Sequence, residues 1–404
     1  MFNPTLFITK SKERETSFLE RDFLIYCSRT TIDDEIKERL KSLAASHLDW
    51  FSLVEKAARQ GVAQFLYLHL SMLDEVWSTI PKESKDRLKQ FYYKILERNW
   101  LIQLELHKVV LLLNQEGIEA IVLKGASLLE TVYKNIGLRP MSDVDLLVKR
   151  KNLTKIRAVL QGAGYQKPDF LDQESLEKFG GEVYLYKEGG VFLDIHTNLS
   201  QYERFQDVFR IDLDEEIWNK SKIIKGSQGD LRILNPNHLI MHLCMHHAIV
   251  HSFAGLFRFC DIREVILTYQ KDIDWPYLIV KARLYKMKRI VYYSLVLTQQ
   301  LFGKIISEDI LEALKPNTRI LILVDFLISK KRILSLPDVE HSFKKIISQL
   351  FLMDGLFNTI RVVIKMLFPS REWLIYHYDK GQRKSRKKFS YRLEHLFRII
   401  FNLT

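Results

Sequence analysis

Only three cysteines, Cys27, Cys244 and Cys260, occur in the 404 residues. Wide spacing and an odd number exclude a disulfide framework and a zinc ribbon, so they read as reduced core thiols. No apolar run approaches the roughly 18 residues of a membrane-spanning helix. Ile320 to Ile328 is interrupted by Asp325, and Ile399 to Phe401 is too short. The opening MFNPTLFITKSKERE has no long apolar signal core and soon turns charged. A cytoplasmic protein without a transmembrane segment is expected. Glycine is sparse and never arranged as GxGxxG, GxxxxGK(S/T) or GxSxG, which leaves out the dinucleotide fingerprint, the phosphate loop and the nucleophile elbow. Gly180-Gly181 and Gly189-Gly190 fit turns. There is no tandem repeat and no low-complexity segment.

What is present is an ordinary globular composition, 47% apolar and 27% charged, able to bury a sizeable core. The length exceeds what one core usually serves, so two or three subdomains are expected. The net charge of +12 is uneven: residues 371–404 carry nine Lys/Arg against three Asp/Glu, half of the total. Such a tail, densest over residues 380–398, suits RNA, an anionic surface or a polyanionic substrate; a solvated basic helix face is the alternative reading.

Along the chain, apolar residues recur at helical spacing from Thr31 to Glu116, as in Trp50, Leu53, Val54, Ala57 and again in Phe91, Ile95, Trp100, Leu104, with Pro81 as a break. Gly117 suits a helix C-terminal cap, and IEAIVL (118–123) a short buried strand. A helix is expected over 126–134, a strand over 143–148, a helix over 152–162 and a strand over 182–187. Glu188-Gly189-Gly190 then turns the chain into a strand over 191–196. From Pro236 the pattern is helical again, through Leu239 to Thr268, Tyr277 to Phe302, Thr318 to Lys330 and His341 to Phe368. The expected fold is α+β: a helical region over 1–117, a small mixed-sheet core over 118–225, and a helical region with a basic tail over 226–404.

The most informative stretch is LKGASLLETVYKNIGLRPMSDVDLLV, residues 123–148. In a strand Asp143 and Asp145 project from one side, with Cα atoms about 6.5 Å apart, and can converge on one cation. Val144, Leu146 and Val148 point the other way into a core. A turn-capping Asp beside a solvated strand edge is the competing reading of an isolated DxD. In VFLDIHTNL, Asp194 lies between Leu193 and Ile195, which face away from it. A third carboxylate beside such a pair is what a metal-dependent phosphoryl-transfer centre needs.

With these residues in place, the sequence resembles the polymerase-beta-like nucleotidyltransferase superfamily, most closely its uncharacterised bacterial branch with LKG, R, DxDLLV and LDxH, over residues 118–200. LIMHLCMHHAIVH, FRFCDIREVI and LFPSREWLIYHY resemble that branch's C-terminal helical region more loosely. The resemblance implies Asp143, Asp145 and Asp194 as catalytic, metal-binding carboxylates for Mg²⁺. It implies Lys124, Gly125, Ser127 and Arg139 beside the phosphates of a nucleoside triphosphate, ATP by default. His196, His246 and Asp261 are expected on the acceptor side. Arg139 in a salt bridge to Asp143 or Asp145, and His196 as a hydrogen-bonded strand-end histidine, are the structural alternatives. Two departures from the superfamily pattern are Gly125-Ala126 in place of its Gly-Ser turn, and the eighteen-residue step from Gly125 to Asp143. The implied activity is Mg²⁺-dependent transfer of a nucleoside monophosphate to a hydroxyl of a small molecule, a protein or an RNA. The alternative is an inactive module that binds RNA or an anionic surface through its basic tail.

His238, His242 and His246 recur every four residues, and His247 and His251 form a second such pair. That spacing can bind zinc, but Leu243 stands where HExxH has its glutamate. Interleaved Leu239, Leu243 and Met245 predict instead a packed helix whose histidines bond to neighbours or line a cleft.

Overall fold

The computed structural model describes residues 18–46, 48–168, 177, 181–188, 190–200, 203–206, 208–213, 215–317, 343–378, 391, 392, 394 and 395. The helix expected over Thr318 to Lys330 lies outside the described residues. So does the basic run 380–398, apart from Tyr391, Arg392, Glu394 and His395.

The centre is a six-stranded mixed sheet: β1 (Ala120–Val122), β2 (Asp143–Val148), β3 (Glu182–Tyr186), β4 (Phe192–His196), β5 (Lys222–Gly226) and β6 (Gly229–Ile233). Its order is β3-β4-β2-β1-β6-β5. β2 runs parallel to β4 and β1 parallel to β6, while the other neighbours are antiparallel. Alternation dictates what each face does. Ala120, Val122, Val144, Leu146, Val148, Val183, Leu185, Leu193 and Ile195 turn one way and join Ile102, Leu106, Val109 and Leu113 of the helix Lys82–Gln115, and Ile156 and Leu160 of the helix Leu153–Gly162, in one apolar cluster. Each such fully buried aliphatic side chain contributes about 1.5–3 kcal/mol. On the other face Ile121, Leu123 and Leu147 join a larger cluster built by helices from both flanks.

Those flanks are far apart in sequence but share that core. The Gln60 carbonyl accepts from the Phe257 N–H at 3.2 Å and Gln60 Oε1 from the Leu256 N–H at 3.0 Å, while the Thr30 hydroxyl donates to Glu264 at 2.8 Å. Helix starts carry their own signals: Asp33, Asp49, Asn235 and Asp274 each accept first-turn N–H groups.

Strands 118–123, 143–148, 182–187 and 191–196 and the helix 152–162 are found within a residue or two of their expected limits. The first core helix starts earlier, at Lys124. The hairpin of β5 and β6 was not foreseen and carries the sheet on to Ile233. In the helix Lys82–Gln115 the stripe through Trp100 is not the buried one. Trp100 is 56% exposed, whereas Asn99 is fully buried. Here the helix crosses a loop, and Asn99 Nδ2 donates to the carbonyls of Ile136 and, at 2.7 Å, Arg139; satisfying buried carbonyls outweighs the apolar pattern.

Two core histidines set a pH limit on stability. His69 Nε2 lies 2.7 Å from the Arg29 carbonyl, and His247 Nε2 lies 3.1 Å from the Ala254 carbonyl with its ring edge-on to Phe259. Burial depresses both below the ordinary histidine value. The unfolded chain therefore takes up protons below about pH 6.5 that the folded chain refuses, so stability is intact above that pH and lost as pH falls. Urea denaturation at pH 7 and pH 5 will show a loss of up to about 2 kcal/mol per such histidine, and His247→Gln will flatten the dependence. An unchanged slope in that variant would remove His247 from the account.

Candidate active site

The strand β1 delivers its successor to the site. The Leu123 N–H donates to the Asp145 carbonyl at 3.0 Å, so the next residue, Lys124, opens the helix Lys124–Thr131 directly beside Asp145. Lys124 sits at φ +42°, a left-handed conformation that costs a non-glycine residue of order 1 kcal/mol or more. Its buried Nζ donates to Asp145 Oδ1 at 2.7 Å.

Parallel pairing of β2 with β4 places Asp145 opposite Asp194 and Leu147 opposite His196. His196 Nε2 lies 2.9 Å from Asp145 Oδ1 and 3.0 Å from Asp194 Oδ2. Its Nδ1 lies 3.3 Å from Glu182 Oε1, because the antiparallel hairpin sets Glu182 across from His196. One imidazole thus sits among three carboxylates. Burial alone would depress it, but Asp194 and the bonds to Asp145 and Asp194 hold it well above the usual histidine range. Burial would likewise raise Asp145, yet Lys124 and His196 hold it well below the ordinary carboxylate value. Glu182 is pushed up by burial and by Asp194. Asp143, half-buried at the mouth with the Ser142 hydroxyl donating to it at 3.0 Å, is pushed up to about 7 by burial and then by Asp145 and Asp194.

Cation binding can be judged from the donor set. Asp145, Asp194 and His196 offer ligand atoms within 4.8 Å of one another, the group among the described residues able to hold an ion. Asp194 Oδ1 is buried with no hydrogen-bond partner. A mostly carboxylate set with an unspent oxygen fits a hard divalent cation.

The other expected residues have these places. Ser127 is buried and its hydroxyl donates to the Lys124 carbonyl at 2.8 Å. Arg139 does not pair with Asp143 or Asp145. Its Nε and Nη2 grip Asp261 at 2.8–3.1 Å, and Tyr133 donates to the same carboxylate at 2.7 Å. Asp261 therefore has both oxygens engaged. The room above Gly125 is taken by Arg139 as well: a Cβ there would lie 2.1 Å from Arg139 Nη1. The long step from Gly125 to Asp143 holds this arrangement, with Gln64 Nε2 donating to the Leu138 carbonyl at 2.6 Å and Arg98 to that of Ser142 at 2.8 Å. His246 is half-buried on the turn that follows the helix Pro236–Met245. His238 is a satisfied core histidine, 2.6 Å from Asn235 and 3.3 Å from Tyr285.

One residue of the centre escaped the sequence reading: Glu182 could have been found by counting the hairpin register back from His196 in EVYLYKEGGVFLDIH. His242, read as part of a packed helix whose histidines bond to neighbours or line a cleft, is buried with neither ring nitrogen partnered.

Asp261→Ala would leave the Arg139 charge buried and unpaired, and urea denaturation will register a loss of about 3–5 kcal/mol. A loss below about 1 kcal/mol would mean that the pair is not holding the loop.

Residues 46–303 match the model of a family described as uncharacterised nucleotidyltransferase. No curated protein matches the chain.

Proposed function

We propose, from the premise that the chain belongs to the uncharacterised nucleotidyltransferase family and is an enzyme that transfers nucleotide, that it moves a nucleoside monophosphate from a nucleoside triphosphate, by default ATP, to a hydroxyl-bearing acceptor. The acceptor oxygen bonds to the α-phosphorus, the bond to pyrophosphate breaks, and the hydroxyl proton passes to a carboxylate. The observation that carries this reading is the register that sets Asp194 beside Asp145 on parallel strands, with Lys124 2.7 Å from Asp145.

Asp143, Asp145 and Asp194 hold a divalent cation, which on this reading is Mg²⁺ and supplies neutralising charge for the triphosphate. Lys124 adds fixed positive charge within the centre. Asp194 spends its unpartnered Oδ1 on the cation, and the acceptor proton passes to a neighbouring carboxylate of the same group. The helix Lys124–Thr131 has no side chain capping its N-terminus, and its first-turn N–H groups suit an anionic oxygen. Arg139 acts from behind, holding Gly125 and the loop before β2 in place through Asp261.

Transfer of label from α-³²P-ATP, with the other three triphosphates in parallel, Mg²⁺ present and cell extract as acceptor source, will place label in a macromolecular or small-molecule fraction with the wild type. Asp143→Asn, which keeps its shape and can still accept the Ser142 hydroxyl, and the double Asp143→Ala/Asp145→Ala variant will reduce it about 100-fold or more. Equal labelling by wild type and variants would sink the reading.

A further inference from the structure

His242 lies on the helix Pro236–Met245, which packs against the helix that begins with Lys124. Its side chain is 1% exposed, and neither ring nitrogen has a hydrogen-bond partner. Leaving a buried polar group unsatisfied costs about 1–3 kcal/mol, so such a ring invites a ligand. The charged groups acting on it are Lys124, His196 and Asp145, and Asp145 already pairs with both cations.

The backbone after it is also unusual. The helix runs into a π turn at His246–Val250, and Ser252 and Phe253 follow at φ +49° and +62°. Strain and π turns of this kind concentrate at functional sites. They carry a row of rings outward: His246 stands 6.1 Å from His242, and His251 4.8 Å from His246. Lys124 and Arg258 add positive charge around His246.

We propose that His242 and His246 bind the β- and γ-phosphates of the donor triphosphate, in place of the acceptor role expected for His246. The assignment rests on the nucleotidyl-transfer reading above. A neutral imidazole offers one N–H donor, and burial keeps both rings neutral in the unliganded protein. The row gives the departing pyrophosphate a bound path from the acidic centre toward solvent, while the nucleoside end makes no use of it.

Calorimetric titration with Mg²⁺-ATP, AMP and inorganic tripolyphosphate tests this on the full-length wild type, His242→Ala, His246→Ala and His242→Gln. The alanine variants will bind ATP and tripolyphosphate about tenfold more weakly, the loss of one hydrogen bond to a charged group, and AMP as tightly as the wild type does. Glutamine, whose amide can donate, will restore part of the loss at position 242. Unchanged binding of ATP and tripolyphosphate overturns the proposal, and so does an equal weakening toward AMP, which marks a structural role. A wild type that binds no triphosphate overturns this assignment together with the donor reading; a wild type that binds ATP while the variants match it overturns this assignment alone.

Discussion

Four carboxylates crowded onto three neighbouring strands are the constraint that the rest of the molecule answers. Two like charges about 5 Å apart repel by about 3 kcal/mol at an effective dielectric near 20, and Asp143, Asp145, Asp194 and Glu182 multiply that cost. The sheet can hold them because Lys124 and His196 are delivered among them by backbone pairing: β1 hands Lys124 to Asp145, and β4 sets His196 between Asp145 and Asp194. Neither cation reaches its place by side-chain flexibility alone. The apolar face beneath, with Val144, Leu146, Leu193 and Ile195 all fully buried, anchors the strands against that repulsion.

A second layer of charge keeps the first in register. Arg139 closes over Gly125 and is itself held by Asp261 from the C-terminal helices, so the helical region is part of the site's frame as well as its wall. Tyr133 and Asn99 complete that frame.

Much of this was legible in the sequence where one element suffices to specify it. The period-two pattern of DVDLLV and FLDIH placed three aspartates and His196 on the faces where they lie, and LKG marked the turn that places Lys124. What lay beyond reach were pairings between distant residues. Arg139 was expected near phosphate or the DxD pair, and its partner Asp261 sits more than a hundred positions away. Glu182 needed the hairpin register. β5 and β6 form a hairpin around Ser227-Gln228, where alternation over IIKGSQGDLRIL is too short to stand out. The histidine helix showed its periodicity plainly, but only packing separates His238, satisfied in the core, from His242, whose ring nitrogens have no partner.

β1 lies inside the sheet between β2 and β6, and that order bears on how the chain is made. During synthesis β1, β2 and β4 emerge long before Gly229–Ile233, so β1 waits with one edge open, a template for wrong pairing. Arg139 waits longer, without its counter-charge until Asp261 leaves the ribosome. The acidic centre draws all its charges from between Lys124 and His196, but the Arg139 frame around it is complete only once the C-terminal helices have emerged.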